Sequence, residues 1–321
     1  MRIWVNGAGG MVGSHMVEML QNRGEEVLGS YYRPTVELKE INPAIRMVEC
    51  DVRYPQSVLK IVEAFRPETI FHLAAQSYPT VSWERPYETM EINAGGTIAV
   101  YEAIKHVRRT DPAYDPMVVV ACSSAEYGQT LEELEEPFVM ETAPLKPLHP
   151  YGVSKVAQDL LSYQYFMNDN IRCIRARIFN TTGPRKVGDV TSDFTRRAVE
   201  QEKQGANPPV LTVGNIETRR AIMDCRDLIE ALLLLSQKGQ AGEVYNVSSE
   251  NIYQIREVIA AIEEAMNVHF DVRVDEKLLR PTDEKIIVGN IDKLKRDTGW
   301  KQSIPLRQTV EDMLEYWRKR P

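Results

Sequence analysis

Tyr151 and Lys155, in Tyr151-Gly152-Val153-Ser154-Lys155, are the pair best suited to proton chemistry in this chain. Their i, i+4 spacing sets both side chains on one face of a helix expected over residues 149–167. An ammonium near a phenol favours the phenolate and draws its pKa down from about 10 toward working pH. Such a phenol exchanges a proton with a sugar hydroxyl or carbonyl. Upstream, an apolar strand ends in Cys122-Ser123-Ser124-Ala125-Glu126-Tyr127-Gly128. A hydroxyl from Ser123 or Ser124 is placed to hydrogen-bond the reacting oxygen; capping the strand is the plainer role for one of them.

A second motif supplies what the proton pair lacks. The run Gly7-Ala8-Gly9-Gly10-Met11-Val12-Gly13 lies between a strand expected at 2–6 and a helix expected at 11–23. Glycines at 7, 10 and 13 permit a tight turn, close approach to a pyrophosphate and close helix–strand packing. The helix start then offers N–H groups and a positive dipole end to phosphate. In that strand–turn–helix context the motif reads as a dinucleotide site, so Tyr151 would pass a proton while hydride passes to or from a nicotinamide. An NAD site carries an acid about 20 residues beyond the loop, on the ribose. This chain has Gly29-Ser30-Tyr31-Tyr32-Arg33 instead. Arg33 and the Ser30 hydroxyl suit a 2′-phosphate, so NADP is expected, with NAD as the alternative. Asp51-Val52 is a candidate for the adenine edge; an exposed turn aspartate is the alternative.

The elements that must hold these residues alternate. Strands are expected at 2–6, 26–31, 47–50, 69–73, 117–122 and 171–179, and helices at 11–23, 58–65, 86–109 and 149–167. Alternation with fully apolar strands implies a parallel sheet covered on both faces. The expected fold is α/β: a Rossmann-type doubly wound parallel sheet with a smaller mixed C-terminal substrate-binding lobe. Turn residues become denser after about Asn180, so the division expected is 1–180 and 181–321, with 243–247 returning to the sheet.

The whole chain has 321 residues and a net charge of −7, which argues against a nucleic-acid binder. The longest apolar runs are far short of the about 20 residues of a membrane span, and the N-terminus is unlike a secretory signal. Cys50, Cys122, Cys173 and Cys225 are scattered, without metal spacing. Reduced structural thiols in a cytoplasmic protein are expected, with no metal.

Several stretches together resemble the extended short-chain dehydrogenase/reductases, the NAD-dependent epimerase/dehydratase group. They are residues 7–13, His72-Leu73-Ala74-Ala75-Gln76-Ser77, Asn93 with Gly96-Thr97, Ser123-Ser124, Tyr151 with Lys155, Arg177-Ile178-Phe179-Asn180 and Arg280-Pro281. Within the group the chain is most similar to GDP-4-keto-6-deoxy-mannose reductases and GDP-mannose 4,6-dehydratases. That likeness rests on 74–77, Asn180-Thr181-Thr182-Gly183-Pro184-Arg185, Val213-Gly214-Asn215 with Arg219-Arg220, Leu279-Arg280-Pro281-Thr282 and Thr298-Gly299-Trp300. The resemblance implies that Met11, Val12, Leu73, Ala74 and Ala75 join the glycines around NADP. It also implies that Gln76, Ser77, Asn180, Arg185, Arg220 and Arg280 face a GDP-sugar. Where the family continues Arg-Arg with Asp, this chain has Ala221. The helices at 86–109 and 149–167 would pair across a two-fold axis into a homodimer, with a tetramer as the alternative.

Two reactions divide the group. A reductase needs a hydride and one proton; a 4,6-dehydratase needs a further acid/base, supplied in the family by a glutamate in this strand end. Counted without a gap from Tyr127, Ala125 occupies that position and Ser123 is the catalytic hydroxyl. With one deletion, Glu126 occupies it and Ser124 is the hydroxyl. Both registers stay open from sequence. The Ser-Ser-x-Glu-Tyr-Gly form and the short segment after the second strand favour the reductase, then the dehydratase, then a C4 epimerase. A non-catalytic NADP-binding redox sensor is the alternative outside enzymes; keeping Tyr151, Lys155 and serine together speaks against it.

Overall fold

Apolar runs such as Val118 to Val120 become strands buried on both faces. The computed structural model describes residues 1–134, 136, 138–278 and 288–320. Its central sheet is built from β1 (Arg2–Asn6), β2 (Glu26–Tyr31), β3 (Arg46–Glu49), β4 (Thr69–His72), β5 (Met117–Ser123), β6 (Cys173–Ile178) and β7 (Val244–Val247). All seven run parallel, in the order β7-β6-β5-β4-β1-β2-β3. The order reverses between β1 and β4. In open sheets, the crevice at the strands' carboxyl ends beside such a reversal is where ligands bind.

Alternate side chains of each strand serve opposite layers. Val5, Phe71 and Val119 pack under α1 (Met11–Asn22) and the helix Cys225–Lys238. Trp4, Ile70 and Val118 pack on the other face, against Val58, Val62, Val100 and Ile104. A third core of Phe194, Leu211, Ile259, Val310 and Trp317 stands apart from the sheet. As expected, the segment near 243–247 returns to the sheet, pairing β7 with β6.

The expected continuous helix at 86–109 is instead three consecutive segments: α2 (Pro86–Met90), a π-helical turn (Glu91–Gly95) and α3 (Gly96–Arg108). Single π turns often sit at functional sites. Here the turn carries Asn93, whose buried amide accepts from Gln76 N at 2.8 Å and donates to Ser154 Oγ at 2.8 Å. The helix α4 (Pro150–Asp169) begins at Pro150 and is capped by His149 Nδ1, which accepts from Gly152 N at 3.0 Å.

Candidate active site

One cleft of 1340 Å³ runs along the carboxyl ends of the strands and across to the third core. At one end lies the glycine turn. Gly7 has φ +77°, and a Cβ there would meet Ala74 N at 2.7 Å. A Cβ on Gly13 would lie 2.3 Å from the Gly7 carbonyl oxygen. Gly10 has only that same oxygen near it, at 3.4 Å, and no side chain caps the first N–H groups of α1. The loop is therefore packed tightly beneath and left open toward the cleft, the shape a pyrophosphate requires. Met11, Val12, Leu73, Ala74 and Ala75 line the same end.

At the ribose end the readings divide. Arg33 lines the cleft with its guanidinium over the Tyr32 ring, 5.2 Å from the centroid. Ser30 does not join it. Its side chain is in the core, where Ser30 Oγ accepts from Trp4 Nε1 at 3.0 Å, so the assignment of this hydroxyl to a 2′-phosphate is corrected. The cause is the two-residue period of β2, which turns position 30 inward. Sequence reasoning missed Arg53, the second guanidinium over Tyr32, at 5.7 Å. Arg53 also forks onto Asp51, donating from Nη2 to Oδ2 at 2.6 Å and from Nε to Oδ1 at 3.1 Å. Val52 lines the cleft beside Asp51. Arg33, Arg53 and Arg85 all approach the single carboxylate of Glu88, at 3.4, 3.5 and 3.5 Å. Three guanidiniums against the two carboxylates Asp51 and Glu88 leave one positive charge over. Together with the open glycine turn, this donor set fits NADP.

The proton pair occupies the middle. Tyr151 is half-buried on the cleft wall, which Ser123 also lines, and the Ser123 side chain is the neighbour that lowers its pKa. Lys155 is buried; its Nζ donates to Ala121 O at 2.7 Å and Gln158 Oε1 at 2.8 Å, and lies 5.8 Å from the Tyr151 ring centroid. The expected lowering of the phenol's pKa is not found. Burial pushes Tyr151 up to about 12, against the Ser123 hydrogen bond, and burial lowers Lys155 to about 8. Desolvation of the phenolate, with the Glu126 carboxylate behind it, outweighs the help of Ser123. The phenol is consequently protonated at neutral pH, the form that donates a proton.

Ser123 and Ser124 both line the cleft; Glu126 does not. Its side chain is fully buried on the far side of the strand end, where Oε1 accepts from Ser123 N at 2.8 Å and Oε2 from Arg177 Nε at 3.1 Å. A short 3₁₀ turn, Ser124–Glu126, points it inward. The reading of Glu126 as an acid/base facing substrate is therefore corrected.

On the substrate side, Ser77, Asn180 and Arg220 line the cleft, with Arg220 on the strand Arg219–Ala221. Gln76 also lines it, but its amide is already engaged: Nε2 donates to Tyr78 O at 3.1 Å and Thr89 Oγ1 at 3.0 Å, and Oε1 accepts from Tyr78 N. These bonds shape the 76–78 loop and hold Gln76 on the cleft wall. Arg185 lines the cleft too. Its Nη1 donates to Glu18 Oε2 at 2.8 Å and its Nη2 to Glu40 O at 2.8 Å, so it clamps the segment after β6 onto α1. Arg280 lies outside the described residues. Lys186, Arg196 and Arg197 are further cations on the wall that sequence reasoning missed. Cations in a loop or on a solvated helix carry no distinguishing signal before the fold brings them to a cleft.

A doubly wound sheet with a glycine turn at its crevice and a serine–tyrosine–lysine set beside it defines an extended short-chain dehydrogenase/reductase. The profile of the GDP-mannose 4,6 dehydratase family matches residues 4–313, and the chain belongs to that family. It is 28% identical to the GDP-6-deoxy-D-mannose reductase of Pseudomonas aeruginosa over 99% of this chain and 98% of that one. It is 26% identical to GDP-mannose 4,6 dehydratase 1 of Arabidopsis thaliana over 97% of this chain and 88% of that one. A solved structure of RMD from Pseudomonas aeruginosa complexed with NADPH superposes with a TM-score of 0.84 at 28% identity, covering 100% of this chain and 98% of that one.

Proposed function

We propose that this protein is an NADPH-dependent reductase acting at C4 of a 4-keto-6-deoxy GDP-hexose. The observation that carries this reading is the inward turn of Glu126, which leaves the Ser123–Ser124 wall without the acid/base that a dehydratase needs. The acids that do line the cleft are engaged elsewhere. Asp51 is held by Arg53, Glu88 pairs with Arg33, Arg53 and Arg85, Asp189 caps Ser192 N at 2.7 Å, and Asp193 binds Arg196 and Arg197. The likeness to a GDP-6-deoxy-D-mannose reductase supports the same choice.

The glycine turn and the first N–H groups of α1 hold the pyrophosphate, and Arg33 holds the 2′-phosphate. When bound, the nicotinamide supplies a hydride to C4. Ser123 Oγ orients the C4 oxygen, and Tyr151 gives it a proton from the phenol. Lys155, fixed by Ala121 and Gln158, keeps a positive charge behind the developing phenolate. Arg220 and the cations near Asn180 receive the diphosphate of the substrate.

Residues 1–180 form the dinucleotide-binding part and 181–321 the sugar-nucleotide lobe, except for the return of 225–247 to the sheet. Exposed Ile98 on α3 and Val153, Leu160, Tyr163 and Met167 on α4 support a homodimer through these helices. Among the described residues no helix is long and apolar enough to cross a membrane. Four unpaired buried cysteines support a cytoplasmic setting.

The test separates substrates. NADPH oxidation with GDP-4-keto-6-deoxy-mannose, and none with GDP-mannose, is expected. Water loss from GDP-mannose without net NADPH change would assign the dehydratase reaction instead.

A further inference from the structure

Glu126 has no part in the proton chemistry proposed above, yet it is fully buried directly behind it. Its Oε1 accepts from Ser123 N at 2.8 Å, while Ser123 Oγ accepts from Ala125 N at 3.2 Å. The two residues thus clasp each other across the turn. Arg177 extends the clasp: its Nε reaches Glu126 Oε2 at 3.1 Å and Asp159 Oδ2 at 3.0 Å. Arg175 Nη1 holds the other Asp159 oxygen at 2.6 Å. Arg177 Nη1 is itself fixed by Tyr127 Oη at 3.0 Å and Glu141 O at 2.9 Å.

Asp159 stands four residues after Lys155, one turn further along α4. The cluster therefore joins the end of β5, which carries Ser123, to the helix that carries Tyr151 and Lys155. Cys122, Tyr127, Tyr151 and Lys155 are the other ionisable groups around it. Cys122, Glu126 and Asp159 lie close enough together to suggest a metal site, but two guanidiniums already occupy their carboxylates.

We propose that Glu126 is a positioning residue: anchored by Arg177, which Asp159 also holds, it fixes the Ser123 amide and so aims the Ser123 hydroxyl at the reacting oxygen beside Tyr151. This deepens the reductase reading and rests on it. A hydrophobic residue in its place would leave the Ser123 N–H buried without an acceptor and Arg177 without one of its two carboxylates.

The experiment compares Glu126→Gln, Glu126→Met and Glu126→Ala with the wild type. Each is assayed for NADPH oxidation with the keto sugar, for NADPH binding by fluorescence and for hydrogen exchange at the Ser123 amide. Gln keeps the acceptor, so its kcat should stay within about 5-fold of wild type with the Ser123 amide still protected. Met and Ala lack it, so kcat should fall about 100-fold, with KM and NADPH affinity within about 2-fold and protection at Ser123 lost. Wild-type kcat in a folded Met or Ala variant overturns the proposal, as does a Gln variant that falls as far as they do. If neither Met nor Ala folds, exchange in the wild type decides. A Ser123 amide much slower than that of Ser124 supports the clasp, and equal rates overturn it. Should the wild type leave NADPH unconsumed, the reductase reading fails, and the exchange comparison still judges the clasp by itself.

Discussion

Asn93 Nδ2 donates to Ser154 Oγ at 2.8 Å, tying the π turn between α2 and α3 to the helix that bears Tyr151 and Lys155. The same amide binds both backbone groups of Gln76, accepting at 2.8 Å and donating at 3.1 Å. One buried side chain thereby holds the loop after β4 and the proton-carrying helix together. Asn93→Ala would strand several of these groups at once. Each buried unsatisfied group costs about 1–3 kcal/mol, so denaturant melts should show a loss of at least about 2 kcal/mol. Turnover should fall with stability, and a variant of unchanged midpoint would contradict the bridging role.

Tyr151→Phe removes the proton donor and keeps the ring. Turnover should drop by about 10²–10⁴-fold, while NADPH binding measured by fluorescence changes little. Equal turnover in the variant would place the donor elsewhere.

The pH dependence follows from the direction of the two shifts. Lys155 is lowered to about 8, and Tyr151 is raised to about 12. Both groups are wanted in their protonated forms for reduction. They are protonated below these values, so turnover at saturating substrate should hold through neutrality and begin to fall as pH rises past about 8. A rise in turnover over that range would mean that the phenolate is the working form.

Arg33 and Arg53 frame Tyr32 at the ribose end. Arg33→Ala should weaken NADPH binding by about 10-fold and leave NADH binding nearly unchanged, since a charge-assisted contact is worth about 1.5–3 kcal/mol when well formed and less when solvent-exposed. The effect should shrink as salt is raised. Titration of both cofactors at two ionic strengths checks it; an equal loss for NADPH and NADH would remove Arg33 from 2′-phosphate recognition.

Much of this architecture was legible in the residues. The apolar strand runs and the glycine turn are local signals, and 2–6 and 26–31 are strands over those same residues. The pair at 151 and 155 fell on a helix start because Pro150 sets that start. What sequence left open depended on which way a side chain turns. Ser30 and Glu126 have the right chemistry, but the strand period and one 3₁₀ turn send both inward. Gln76 and Arg185 reach the cleft as expected, but their neighbours distant in sequence, Thr89 and Glu18, gave no signal. Arg53 gave no signal until the fold laid it over Tyr32. The pKa of Tyr151 was misread because its burial comes from the tertiary structure, not from the motif.

The most direct measurement follows absorbance of NADPH with purified protein and each of two sugars in turn. Stoichiometric oxidation with GDP-4-keto-6-deoxy-mannose, and a flat trace with GDP-mannose, is the result this account predicts. A flat trace with the keto sugar, with conversion of GDP-mannose to a keto product in the other cuvette, would contradict it.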